Sequence, residues 1–330
     1  MRHWRIAFLI LAALGSPAGA KTMLYVGNSS GSDVTVIDLA ARKVTATITL
    51  GHLVHGVCAP ADGRYVFATV ESDHTLRVID TATNKATDTI ALPGQPNQCA
   101  STSDGRYVLV PILGPVNVIA IVDMTSKSVV KTLPTRHPHN CFTPEGGSNS
   151  VIWCEEQENY RINRIDMKTL SITERVPVAG EPRPFIVSAD EKTLYTALSG
   201  LHGVAIVDMV KKTMGEVALP PMSYMACRIE PPNTPTHGIS LTRDGKKLWI
   251  TSVADAGIYI YDVASRKLSD KIATGACPNW ISMSKDGRFA AISNADDDTV
   301  SVFDPKTENE IYRLRVGSAP KRLLVVDTPD

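Results

Sequence analysis

An aspartate that ends a β-branched run returns at Asp38, Asp80, Asp123, Asp166, Asp208, Asp262 and Asp304, at intervals of 42, 43, 43, 42, 54 and 42 residues. A period this regular leaves few folds open, because each unit must bury its apolar face against neighbouring copies. A second marker, Asp-Gly, stands at Asp62, Asp104, Asp244 and Asp286, with Asp190-Glu191 in its place in one unit. Asp-Gly suits a hairpin, since glycine accepts the positive φ that such turns demand. Each unit holds four short strands, for instance HGVCAP, YVFATV, TLRVID and KATDTIAL. Four strands at this period are the mark of a β-propeller blade. No segment beyond the first twenty residues keeps a helical period.

Counting blades accounts for the two ends. LYVGN, VTVIDL and KVTATITL read as strands two to four of a blade, and KRLLVV near the C-terminus reads as a first strand. Together they complete one blade, which removes the open sheet edges. The expected fold is all-β: a seven-bladed β-propeller with four antiparallel strands per blade. Residues 1–20 read as a secretory signal peptide, with Arg2 and Arg5 in a basic stretch, apolar residues at 6–14, and Ala18-Gly19-Ala20 as a cleavage site. The apolar run is too short to cross a bilayer. Residues 21–330 are then a single propeller domain, periplasmic or secreted after cleavage near Ala20. Without Arg2 and Arg5 the chain holds 32 basic and 34 acidic residues. That balance gives no case for nucleic-acid or membrane-surface binding. The expected partner is a small molecule or a protein at one propeller face, with no membrane span and a monomeric state.

LYVGN at 24–28, TVIDLAARKVTATI at 35–48 and VIDTATNKATDTI at 78–90 resemble the unit of the YVTN-type seven-bladed β-propeller repeat family. The resemblance covers essentially all of residues 21–330. It implies the fold, and it groups the chain with lactonase-type and cytochrome d1-type propellers, whose activities differ widely. Blade three departs most, with PEGGSNS where the others carry an Asp-Gly turn.

Counting back seven residues from each turn marker gives His55, Asn97, His139, Arg183, His237, Asn279 and, by extension, Lys321. The strand nearest the axis begins there, so these side chains should ring one mouth of the central channel. Of the neighbouring pair in PTRHPHNC, His139 is then a rim residue and His137 a loop residue. Histidines occupy the first, third and fifth blades. Three imidazoles around an axis can hold a divalent transition metal with positions open for water or substrate, which makes His55, His139 and His237 the candidate metal ligands. A rim with Arg183 and Lys321 and no carboxylate should attract an anion.

The long interval, between Asp208 and Asp262, falls in ALPPMSYMACRIEPPNTPT. This insert should lie over the mouth, with Met222, Tyr224, Met225 and Arg228 as a lid or pocket wall. Loops at Glu71, Asp73 and His74, at Glu155, Glu156 and Glu158, and at Asp296 to Asp298 should give an acidic outer zone. Met222 and Met225 have a spacing used by soft copper sites, and Asp296 to Asp298 could hold calcium, but lid packing and a solvated turn are the plainer readings. His52, His74, His137 and His202 read as surface residues, and the seven repeated aspartates as turn-formers.

All six cysteines follow the leader, and an even count in an exported chain favours disulfides. Cys58, Cys99 and Cys141 fall in three consecutive first strands, and Cys154 lies opposite Cys141. The favoured pairing is Cys58–Cys99, Cys141–Cys154 and Cys227–Cys277, the last tying down the insert, among the fifteen that six cysteines allow. No strong catalytic motif stands out. The leading expectation is therefore an exported propeller that binds a small anionic ligand or a partner protein at the mouth. The alternative is a metal-dependent enzyme, of lactonase, hydrolase or oxidoreductase type, with the histidine rim as its centre. A third, implied by the family resemblance alone, is handling of a haem-type cofactor with a rim histidine as axial ligand.

Overall fold

The computed structural model describes residues 20–222, 227–228, 230 and 233–329. Seven antiparallel sheets stand in a ring, forming the expected seven-bladed β-propeller. Blades 1 to 6 occupy residues 54–91, 95–134, 138–177, 182–218, 236–273 and 278–315. Blade 7 joins both ends of the chain: Lys21–Asn28, Asp33–Asp38 and Lys43–Thr49 are its outer strands, and Pro320–Thr328 is its innermost. The register runs Lys21↔Thr328, Met23↔Val326 and Tyr25↔Leu324, so a full antiparallel ladder closes the seam. Residues 1–19, on which the expected leader falls, lie outside the described residues.

The repeated aspartates turn the third strand into the fourth. Asp38 accepts the Ala41 N–H at 2.8 Å, Asp80 that of Thr83 at 2.8 Å, and Asp166 that of Thr169 at 2.7 Å. Asp208 and Asp262 do the same, and Asp123 and Asp304 accept the N–H two residues on. Four residues after each aspartate, from Arg42 to Glu308, a non-glycine residue adopts φ between 51 and 61°. That conformation costs about 1 kcal/mol for an L-residue, and the aspartate cap offsets it in every blade.

The core lies between blades. Met23, Tyr25, Val36, Val57, Val66 and Ile79 pack together across blades 7 and 1. Phe67, Val78, Val108 and Val110 do so across blades 1 and 2. Cys58 is the third residue after the rim position and Cys99 the second, so they point to opposite faces of their own strands. They meet in that shared core and are bonded, with Cα atoms 5.8 Å apart. Cys141 and Cys154 are bonded cross-strand partners within blade 3, at 4.1 Å. Cys227 and Cys277 join the insert to the start of blade 6, at 4.7 Å.

The feature that builds the mouth is a bulge near the start of the first strands. Register shifts fall between Val54 and Val57, Pro138 and Cys141, Pro182 and Phe185, Thr236 and Ile239, and Pro278 and Trp280. The bulge frees one backbone N–H from the ladder, and a second-strand hydroxyl takes it up. Gly56 N–H donates to Thr69 Oγ1 at 2.7 Å, and Thr69 donates onward to the Asn97 carbonyl of the next blade at 2.7 Å. Trp280, Ser293 and the Lys321 carbonyl repeat the relay at 3.0 and 2.7 Å. Gly56 sits where a Cβ would fall 2.7 Å from the Asn97 carbonyl, and Gly238 where it would fall 2.8 Å from that of Asn279. Glycine after a rim histidine thus lets adjacent first strands close on the axis.

Thr69→Val keeps the shape of the side chain but leaves the Gly56 N–H and the Asn97 carbonyl unpaired. The expected loss is roughly 2 kcal/mol, at about 1 kcal/mol or more for each buried group left unsatisfied. It would be read as a lower urea midpoint at unchanged m-value; an unchanged midpoint would refute the relay.

Candidate functional site

The rim positions line a narrow mouth. His237 and Asn279 are buried, and His55, His139 and Arg183 keep only 13–14% of their side chains exposed. The next position on each first strand reaches further down the axis, and there Gln98, Asn140, Trp280 and Arg322 follow the rim residues. Arg322 was not anticipated from sequence, yet it is the centre of the cluster. It is 1% exposed, its guanidinium lies 4.1 Å from the centre of the Trp280 ring, and Nη1 donates to Asn279 Oδ1 at 3.2 Å. Its Nε has no partner among the described residues.

Carboxylates reach this mouth, contrary to the expectation of a basic rim inside an acidic outer zone. Glu71 binds His55 through Nδ1. Glu155, fully buried on strand Val151–Glu156 and not in a loop, lies 3.2 Å from His139 Nδ1. Each stands sixteen residues after its rim histidine, and Ser199, sixteen after Arg183, accepts from Arg183 Nε at 2.9 Å. The second strand runs back antiparallel to the first, so this spacing brings its end beside the rim. Glu181 adds a third carboxylate, 3.3 Å from Arg183 Nη2, and Glu230 of the insert a fourth, 2.7 Å from Lys321 Nζ and 2.9 Å from Asn279 Nδ2. Glu156 is buried too, but it serves the blade, binding Arg161 and Asn163.

Burial sets the charges. His55 is held below the usual imidazole range by burial, against the pull of Glu71. Burial and the nearby Arg322 and Arg183 put His139 well below it. His237 falls to about 3 through burial and Arg322, in spite of Glu230. Burial lifts Glu155 well above the carboxylate range. Burial also works against ionised Glu230, but His237, Lys321 and Arg322 outweigh it and bring that group to about 2. Glu71 likewise ends below its ordinary value, because hydrogen bonds from His55 and Gln95 outweigh its burial. Near neutrality the histidines are uncharged, Glu155 is pushed toward its neutral form, and Arg183, Lys321 and Arg322 face the carboxylates Glu71, Glu181 and Glu230. Arg183 and Lys321 thus each have a carboxylate within ion-pair distance, whereas the buried Arg322 has none among the described residues.

The three histidines share one arrangement. Nδ1 of His55 meets Glu71, Nδ1 of His139 meets Glu155 and Asn140, and Nδ1 of His237 meets the Asn279 carbonyl at 3.0 Å. No described protein group engages Nε2 of any of them. A ring tied at one nitrogen to a carboxylate or carbonyl is oriented with the other nitrogen ready for a donor or a metal. The donor set thus suits a metal or a haem iron. Its ligand atoms do not converge, however. Among the described residues, Cys227, Cys277 and Asp296 form the one group of three ligand-type side chains with atoms within 4.8 Å, and its cysteines are bonded to each other.

Of the insert, Met222 is exposed, and Arg228 reaches Asp296 through its N–H at 2.9 Å; Tyr224 and Met225 lie outside the described residues. Asp296, Asp297 and Asp298 accept from backbone N–H groups of Arg228, Ala276 and Ala319. These acids wire loops together. His52, His74 and His137 are exposed, whereas His202 is half-buried between the Pro220 carbonyl at 2.8 Å and Ser252 Oγ at 2.7 Å, which anchors the start of the insert. Residues 27–31 spell Gly-x-Ser-x-Gly, but they leave a strand for a turn with no helix after it. Ser29 Oγ is spent on the Val54 carbonyl, so this is no nucleophile elbow.

Comparison with known proteins adds context. The sequence matches the cytochrome D1 heme domain family over residues 18–174, just under half of the chain. It is 25% identical to Antigen Lp49 of Leptospira interrogans over 185 residues, 54% of this chain and 36% of that protein. The match thus spans little more than a third of that relative's length. The periplasmic gluconolactonase PpgL of Pseudomonas aeruginosa superposes with a TM-score of 0.72 at 19% identity, over 93% of this chain and 99% of that one. The dihydro-heme d1 dehydrogenase NirN, in complex with DHE, gives 0.66 at 17% identity, over 96% and 77%. At such identities the likeness carries the fold alone. Three disulfides on this fold suggest an extracytoplasmic protein.

The neutral histidines fix a pH response. Between pH 6.5 and about 3 an unfolded His237 binds a proton that the folded one refuses, so stability falls with falling pH, by about 1.4 kcal/mol per pH unit for one such group. Glu155 acts in the opposite sense, favouring the folded state at low pH, where its carboxyl keeps its proton. His237→Gln keeps a donor for the Asn279 carbonyl and removes the titration. Its unfolding free energy, measured in urea between pH 7 and pH 4, should fall less steeply than that of the parent; parallel curves would contradict a neutral His237.

Proposed function

We propose that the chain is an exported, periplasmic propeller that binds a small anionic ligand at the channel mouth, through Arg183, Lys321 and Arg322. The observation that carries this reading is the buried Arg322. A guanidinium does not lose its charge in a protein, and this one sits among neutral histidines with Nε unpaired. Burying a charge is costly unless it is paired, so a carboxylate or phosphate there is favoured twice, by charge and by the planar fork. Lys321 is engaged by Glu230 of the insert. An incoming anion competes with that carboxylate, which stands where the ligand's own anionic group would go. The gluconolactonase likeness makes sugar acids and their lactones the first class to screen. On this reading residues 1–20 are a leader removed near Ala20, and the repeat is of the YVTN type.

A second reading has its own support, in the common orientation of the three histidines. Their Nε2 atoms could hold a divalent transition metal, as in a metal-dependent lactonase or oxidoreductase, or one of them could serve a haem-type cofactor as axial ligand. The metal would supply a Lewis acid, and Arg183 and Lys321 would orient negative charge on the substrate. The side chains would first have to swing together.

Calorimetric titration with gluconate and with citrate separates these readings. Arg183→Ala should weaken binding at least tenfold, and Glu230→Ala should strengthen it several-fold by releasing Lys321. Absence of saturable binding with every small anion tried, or the opposite effect of Glu230→Ala, would sink the anion reading. Elemental mass spectrometry of protein exported to an oxidising compartment tests the second reading. Metal near one equivalent that disappears in the His55, His139 and His237 triple alanine variant would establish a metal centre; metal-free protein in both would end that reading.

A further inference from the structure

The axial channel has a second mouth, at the far ends of the first strands, and its chemistry differs. The position directly before each turn carries Glu145, Arg243, Lys285 and Asp327 in four blades and alanine or serine in the rest. Behind this ring a cavity of about 460 Å³ runs up the axis. Ile186, Ile239, Ile281, Leu323 and Val325 form its walls, and Phe142 and Trp280 line it too, their rings stacked with centres 6.1 Å apart. Trp280 is the ring against which Arg322 lies, so it parts the polar cluster at one mouth from the apolar chamber at the other.

Apolar walls, a volume in the ~300–1,000 Å³ range of small-ligand pockets and a few polar groups at the opening are what such sites share. The polar groups are specific. Arg243 donates to the Lys285 carbonyl at 3.0 Å, and Lys285 Nζ reaches across blade 7 to the Ala61 carbonyl at 3.0 Å. Among the described residues neither cation is ion-paired, although Asp244 and Asp286 stand next to them and pair elsewhere. Two cations on adjacent blades therefore hold backbone carbonyls at the lip of an apolar chamber. Glu145 is the carboxyl within it. Burial raises it to about 7, so it does not set a full negative charge against an anion.

We propose that this far-mouth chamber is a second binding site, for a small amphipathic anion whose apolar body fills the chamber and whose carboxylate or sulfonate meets Arg243 and Lys285. It is distinct from the rim site: the two share Trp280 and Gln98 as their common wall, and the cations at each mouth are different.

Titration of the mature protein with decanoate, followed by calorimetry, tests it. One saturable site is expected. The Arg243→Ala/Lys285→Ala double variant changes two exposed side chains and should lower the affinity at least tenfold. Ala59→Phe, at a half-buried lining position, should abolish binding, with circular dichroism reporting whether it folds. Arg183→Ala at the opposite mouth should leave the affinity within twofold. No saturable heat with the parent protein would overturn the proposal. So would full affinity in the double variant, since the anion would then not be read at the far mouth. A loss of decanoate binding in Arg183→Ala would place the ligand at the rim instead, and would equally overturn it.

Discussion

The axis exists only because the chain's two ends pair. Lys21–Asn28 and Pro320–Thr328 form a ladder inside blade 7, and without it the first and last blades would each present an open edge. The consequence reaches the channel mouth, because Lys321 and Arg322 lie on that closing strand. Asn279 and Trp280 of blade 6 and Glu230 of the insert bind those two residues. The cation cluster therefore assembles only in a closed ring. The same argument separates blade 7 from the other six: their inner strands are held by a local hairpin, whereas this one is held by residues about three hundred positions away.

Once the ring is closed, burial decides the protonation states. A charge taken from water into a protein interior costs several kcal/mol even after relaxation. Histidine avoids that cost by shedding its proton, and Glu155 by keeping one. Arg322 can do neither, since burial lowers it only to about 10. Stacking on Trp280 is worth about 2 kcal/mol when desolvated, less than the penalty. Carboxylates must make up the rest, and Glu230, Glu155 and Glu71 all act to hold its proton. Burial pushes Glu155 toward its neutral form, so its share of that hold is the one most easily lost.

Much of this was legible in the sequence, because it rests on repetition. The period fixes the number of strands, the Asp-Gly turns fix where each first strand ends, and counting back from them reaches His55, His139 and His237 on the rim. What repetition could not reveal is what departs from it. Arg322 stands where other blades carry glycine, proline or a neutral polar or aromatic residue, so the repeat marks its position without giving its weight. The carboxylates were assigned to loops because Glu155 lies near a strand end, and one residue of register decides whether it faces solvent or the axis. Glu230 belongs to an insert with no counterpart in any other blade. Its partner could come only from three dimensions.

The departures are nevertheless ordered. Glu71, Glu155 and Ser199 all follow their rim residues by sixteen positions, and an antiparallel hairpin of fixed length makes that spacing a distance in space. In blades whose rim residue is an asparagine, or a ring already served by the neighbouring carbonyl as His237 is, the same position holds Leu113, Val253 or Ala295. The pairing therefore tracks need. A rim group that must be oriented or neutralised gains a polar partner on its own second strand, and one that need not gains an apolar residue. Blade 7 breaks the pattern, since Ser29 stands at that position and turns to the Val54 carbonyl. Lys321 and Arg322 thus get no acidic partner from their own blade. The insert, pinned by Cys227–Cys277, supplies one from outside through Glu230. A partner delivered on a tethered loop, unlike one fixed in a strand, is one that a competing anion can replace.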